Sequence, residues 1–153
     1  MTITAKVIEH SVSREGIEIA TLQLRYPKFI HAEAKTHRII KIGSQTYEET
    51  IDAGLMCDPN LSRNASSSRA IPVERMIQDV LDDPVIPVYW GKNQKGMQAD
   101  EEMTPAQIKL LTRKWLRGRD DAVDLARTLM QDGLHKQIAN RVLEPWFHIT
   151  TLV

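Results

Sequence analysis

The chain carries a single cysteine in 153 residues, Cys57, which excludes an intramolecular disulfide and any multi-cysteine metal site. That usage fits a reducing compartment. With no CxxC spacing and no evident histidine nearby, Cys57 reads as a small hydrophobe or as a reactive thiol. Net charge is missing as well, because Lys plus Arg (20) equals Asp plus Glu (20). This argues against general nucleic-acid binding and against an anionic membrane surface, while a local basic cluster can still hold one phosphate. No apolar run approaches the roughly 20 residues of a spanning helix. Met1-Thr2-Ile3-Thr4 lacks the charged and apolar regions of a signal peptide. A soluble, cytoplasmic protein is the expectation. His10, His31, His135 and His148 are scattered without ligand spacing, so no metal site is expected.

What is present suits one domain over 1–153, long enough to bury a core. Thr4 to Glu9 and Ile17 to Arg25 are rich in β-formers and flank a turn signal at Ser13-Arg14-Glu15-Gly16, which predicts a hairpin. Tyr26-Pro27 ends it, and Lys28 to Arg38 predicts a helix with Glu33 and His37 four apart on one face. Residues 39–60 read as an inserted loop, with turn signals at Gly54 and Asp58-Pro59-Asn60. Val73, Met76, Ile77, Val80 and Leu81 fall at helical spacing, and Asp82-Asp83-Pro84 stops that helix. Val85 to Trp90 reads as an irregular or edge strand because of Pro87. Thr104-Pro105-Ala106-Gln107 is a helix start, with a bend expected near Gly118 and an end by Gly133. Arg113, Lys114, Arg117 and Arg119 give this helix a basic patch, read as a solvated face partly paired with Asp120, Asp121 and Asp124. His135 to Leu143 predicts a shorter helix broken by Glu144-Pro145, and Trp146 to Val153 is an apolar tail that should pack. Trp90, Trp115 and Trp146 read as core or interface anchors. The fold class expected is α/β of the α+β type: a small, mostly antiparallel sheet with several helices.

The stretch with the most chemistry is Leu61 to Pro72, LSRNASSSRAIP. Small hydroxyl residues sit between Arg63 and Arg69, each with a planar fork that fits phosphate or carboxylate. Thr36-His37-Arg38 adds a second basic pair upstream. By composition alone this is a polar surface loop or a site for a phosphorylated, nucleotide-sized ligand. No Ser-His-Asp arrangement can be inferred, and no catalytic residue is assigned.

The order His37-Arg38, then Ser62-x-Asn64, then Ser67-x-Arg69 resembles the signature of flavin-dependent thymidylate synthases, Arg-His-Arg-x-x-Ser-x-Asn-Glu-x-Ser-x-Arg. The wording is similar to the bacteriophage-type branch, where the first arginine is often threonine, as at Thr36. PKFIHAEAKTHR, YWGKNQKGMQA (Tyr89 to Ala99) and QIANRVLEPW (Gln137 to Trp146) extend the resemblance over most of the chain from Tyr26 onward. It implies methylation of deoxyuridylate (dUMP) with methylenetetrahydrofolate, FAD as hydride carrier and NADPH as reductant. It places the cofactor at His37, Arg38, Ser62 and Asn64, and the substrate at Glu33, Ser67, Ser68 and Arg69. Flavin does the redox chemistry in such a site, and the protein orients and polarises. The resemblance covers the amino-terminal two thirds of the family, and it implies a homotetramer or a second chain that supplies the remainder. The chain departs from the signature at Thr36, at Ala65 in place of glutamate, and in the insertion between the two halves. A non-catalytic nucleotide-binding or protein-interaction module of the same fold, or a viral enzyme acting on a related pyrimidine nucleotide in a host cytoplasm, would fit these residues too.

Overall fold

A computed structural model of the chain describes residues 3–31, 40–42, 45–47, 64–65, 67–96 and 98–153, with the backbone alone at 40–42, 45–47 and 64–65. The fold is α+β, with an antiparallel sheet and, among the described residues, three α-helices. It divides into two compact units, one over Ser68–Phe147 and one over Thr2–Ser67 with His148–Val153.

The sheet unit is built on the hairpin of β1 (Thr4–Val12) and β2 (Glu18–Pro27). Its turn is closed by Ser13, whose Oγ accepts from the amides of Glu15 and Ile17 at 3.2 Å each. Gly16 supplies the positive φ of 83° that the chain reversal needs. Pairing runs from Thr4 opposite Arg25 to Val12 opposite Glu18, with a bulge that leaves Ile8 unpaired between Val7 and Glu9. Two further strands follow, β3 (Ile40–Ile42) and β4 (Gln45–Tyr47), which pair with each other. These are the described parts of the expected inserted loop. A two-residue strand, β5 (Asn64–Ala65), and the last strand, β6 (His148–Leu152), complete the main sheet in the order β1-β2-β6-β5. The apolar tail is therefore an inner strand. Ile149 and Thr151 in it are each 1 % exposed. Leu22 and Val153 extend its ladder by exchanging amide-to-carbonyl bonds of 2.8 and 2.9 Å. Tyr26 Oη ties β2 to its surroundings through His31 Nδ1 at 2.7 Å and Thr151 Oγ1 at 3.3 Å.

Where a helix was expected over Lys28 to Arg38, a 3-10 turn forms at Lys28–Ile30, and the part of that expectation over 32–38 lies outside the described residues.

The helical unit owes its core to one stripe. In α1 (Val73–Asp82), Val73, Met76, Ile77 and Val80 recur at i, i+3, i+4 and i+7 and all are buried. They meet Ala122, Val123 and Ala126 of α2 (Pro105–Gln131), together with Ala139, Leu143 and Phe147. Asp83 leaves helical geometry at φ −141° because the ring of Pro84 disfavours it there. At the start of α2 the capping box forms as expected: Thr104 Oγ1 accepts from the Gln107 amide, and the Thr104 amide donates to Gln107 Oε1 at 3.0 Å. Beyond its end Gly133, with φ 84°, and Leu134 return amides to Met130 and Leu129.

The helix α2 runs through Gly118 without a break, and the missing side chain there admits the Trp146 ring; a Cβ would stand 3.2 Å from Trp146 Cζ2. Two expectations in this unit are corrected. The segment after His135 is α-helical only over α3 (Lys136–Ala139) and tightens to a 3-10 helix over Asn140–Trp146 that carries Pro145 within it. Proline is tolerated there because so short a 3-10 piece has few ladder bonds to lose. Val85 to Trp90 forms no strand: the Val85 amide donates to Trp146 O at 2.9 Å and its carbonyl accepts Trp115 Nε1 at 2.7 Å, so both of its backbone groups are already used. Pairing begins at its last residue, where the Trp90 carbonyl accepts the Met103 amide at 2.8 Å beside the bridge between Gly91 and Glu102. Trp115 lies between the other two tryptophans, with ring centroids 6.5 Å from Trp90 and 5.6 Å from Trp146.

Candidate functional site

Glu33, His37, Arg38 and Ser62 lie outside the described residues. Asn64 is placed by its backbone in β5, opposite Leu152 of β6. Ser67 is exposed at the end of the sheet unit. The helical unit holds the other two candidates, Ser68 and Arg69, in one turn that leads into α1.

That turn is fixed from below by the 3-10 segment. Asn140, 1 % exposed, donates through Nδ2 to the carbonyls of Ser68 at 2.7 Å and Ile71 at 2.8 Å. Lys136 Nζ donates to the Ala70 carbonyl at 3.0 Å. Three carbonyls of a four-residue loop are thus satisfied by two side chains. Each such bond contributes on the order of 1 kcal/mol net, and more where the donor is charged. Ser68 is buried, and its hydroxyl donates to Glu144 Oε1 at 2.5 Å; the same oxygen accepts Arg141 Nη1 at 2.9 Å. The Ser68 hydroxyl is therefore engaged in holding the turn. Asn140 Oδ1 is buried with no hydrogen-bond partner among the described residues.

Arg69 stands on the exposed side of this turn and makes no ion pair or hydrogen bond among the described residues. Beyond Ala70 and Ile71, Pro72 stands at the N-cap of α1 with no side-chain cap bond, and Glu74 is the one acid in the first turn. A helix start in that state presents backbone N–H groups and the positive end of the helix dipole. A fixed turn, a free guanidinium and an uncapped helix start suit an anion with several acceptor oxygens.

Asn140, Lys136 and Glu144 hold this arrangement, and reading the sequence did not single them out. The signal available was the stretch QIANRVLEPW, whose polar residues recur at Asn140 and Glu144, four apart on a tightening helix. The hairpin of the sheet unit bears a recess of about 180 Å³, lined by Glu9, His10, Ser11, Ile19, Ala20 and Thr21. Small-molecule sites start at roughly 300 Å³, so this dent is too small to rival the turn. No helix among the described residues is long and apolar enough to cross a membrane. Compared with known protein families, curated proteins and solved structures, the chain matches none.

Proposed function

We propose that the chain binds the phosphate of a pyrimidine nucleotide, with Arg69 as the cation, as a protein resembling the flavin-dependent thymidylate synthases. One observation carries the reading: Arg69 is exposed without a partner among the described residues, on a turn whose carbonyls are held by Asn140 and Lys136. A surface arginine kept for solubility needs no such support, whereas a phosphate ligand gains from a backbone turn fixed before binding and a guanidinium left free to meet it. In this reading dUMP is the nucleotide and Arg69 takes its phosphate. Ser68 positions Arg69 through Glu144. FAD would lie with His37, Arg38, Ser62 and Asn64, and would supply the hydride transfer, with NADPH and methylenetetrahydrofolate as co-substrates. A cytoplasmic setting belongs to the same reading.

A second reading, a nucleotide-binding module without the methylation chemistry, is favoured by Ala65, which stands where the signature has a carboxylate. The visible absorbance spectrum of the full chain, with added FAD and then with a titration of dUMP, separates the two. Flavin bands that shift on nucleotide addition support the synthase-like reading. Nucleotide binding with no flavin uptake supports the module. Absence of both overturns the proposal.

A further inference from the structure

Zero net charge over the whole chain conceals a segregation along α2. From Thr104 to Arg119 the sequence has Lys109, Arg113, Lys114, Arg117 and Arg119 and no acid, and Asp120, Asp121 and Asp124 follow together. Arg119 is taken by Asp120 at 2.6 Å. The other four cations are exposed, and none of them makes an ion pair or hydrogen bond among the described residues. Lys109, Arg113 and Arg117 stand four apart in turn, a row that rises about 6 Å per step and drifts about 40° around the helix. Lys114 stands beside it. Ala122, Val123 and Ala126, which the helix buries, fall on the other side. Like charges at this spacing repel one another. Asp121 lies four residues after Arg117 and leaves it unpaired, while Asp124 reaches Arg127 at 3.7 Å. The partly paired face expected from the sequence therefore forms at Arg119 and not along the row.

We propose that this row binds the backbone of a single-stranded nucleic acid, with Lys109, Arg113, Lys114 and Arg117 meeting about three or four successive phosphates. A strand presents one negative charge per nucleotide at a repeating interval, and the row presents cations in the same manner. Each arginine adds a planar fork that fits two phosphate oxygens. An anionic membrane fits less well, because Leu110, at 53 %, is the one large apolar side chain exposed within the row.

Acids bound the row at both ends. Glu101, paired with Lys92 at 2.7 Å, and Glu102 precede the helix, and Asp120, Asp121 and Asp124 follow the row. A stiff duplex laid along α2 would meet them. A flexible strand can follow the roughly 12 Å from Lys109 to Arg117 and then turn away. So short a contact carries no base readout, and binding is weak, independent of sequence and sensitive to salt. The row and the Arg69 turn share no residue, so the two sites stand or fall separately.

Fluorescence anisotropy of a labelled oligothymidylate of about 12 nucleotides, titrated with the full chain at several salt concentrations, tests the proposal. At about 0.7 for each of three or four phosphates, the logarithmic salt slope should be about −2 to −3, a loss of about 20- to 50-fold in affinity between about 50 and 200 mM salt. Arg113→Gln with Arg117→Gln should weaken binding at least about tenfold at low salt and flatten the slope by about 1.4. Asp121→Asn with Asp124→Asn should tighten it severalfold. Circular dichroism checks that both variants keep their helicity, and excess dUMP should leave the oligonucleotide bound. No binding by the wild type at low salt overturns the proposal, as does binding that the double arginine variant leaves unchanged. Displacement by dUMP would place the strand at the Arg69 turn, and tighter binding of polyglutamate than of the oligonucleotide would assign the row to an acidic protein; either result overturns it too.

Discussion

The two compact units use the same alphabet to different ends. In the helical unit, one stripe of α1 and three small or branched residues of α2 close over Leu143 and Phe147, and ten residues form a continuous buried cluster. In the sheet unit, β1 is exposed along nearly its whole length, with Val7 at 65 %, and Ile17 and Ile19 on the β2 side at 70 % and 69 %. The helices are held by apolar area removed from water, at about 1.5–3 kcal/mol for each large side chain fully buried. The outer hairpin is held by its backbone ladder and by the Ser13 turn, and a two-stranded ribbon of that kind is marginal by itself. A site that must be rigid is therefore better placed on the helical side, and that is where Ser68 and Arg69 lie.

Three substitutions probe this contrast, and denaturant unfolding followed by circular dichroism reads them all. Leu143→Ala should cost the most, about 2–5 kcal/mol, because a fully buried side chain is lost and a cavity is left. Asn140→Ala should cost about 2–3 kcal/mol, since it strips two carbonyls of their donor at a buried position. It should also loosen the turn, and faster proteolysis near Arg69 would show that. Ile19→Thr in the exposed hairpin should change stability by less than about 0.5 kcal/mol. If Ile19→Thr were as damaging as Leu143→Ala, the contrast between a packed unit and a ladder-held hairpin would be wrong.

Local chemistry made the hairpin, α1 and α2 legible in the sequence. Ser13 to Gly16 announced a turn, Val73 to Val80 a helical stripe, and Thr104 to Gln107 a capping box, and each is formed by residues adjacent in the chain. The strand character of the tail was not legible, because β6 pairs with residues of β2 about 125 positions earlier and periodicity carries no record of partners. The neighbour of Gly118 was out of reach for a related reason. A glycine in a helix signals either a bend or a close neighbour, and the neighbour here is Trp146, 28 residues away. At the candidate site, the arginine-and-serine pattern pointed to the turn, but its support from Asn140, Lys136 and Glu144 arises only once the chain is folded.

The claim that Arg69 is a phosphate-binding cation is tested most directly by calorimetric titration of dUMP and of deoxyuridine into the wild-type chain and into Arg69→Ala. The account predicts that dUMP binds the wild type more tightly than the nucleoside does. It predicts that Arg69→Ala lowers dUMP affinity by about 1.5–3 kcal/mol, roughly tenfold to 150-fold, while leaving the weak nucleoside affinity unchanged. Equal dUMP affinity in both proteins would contradict it.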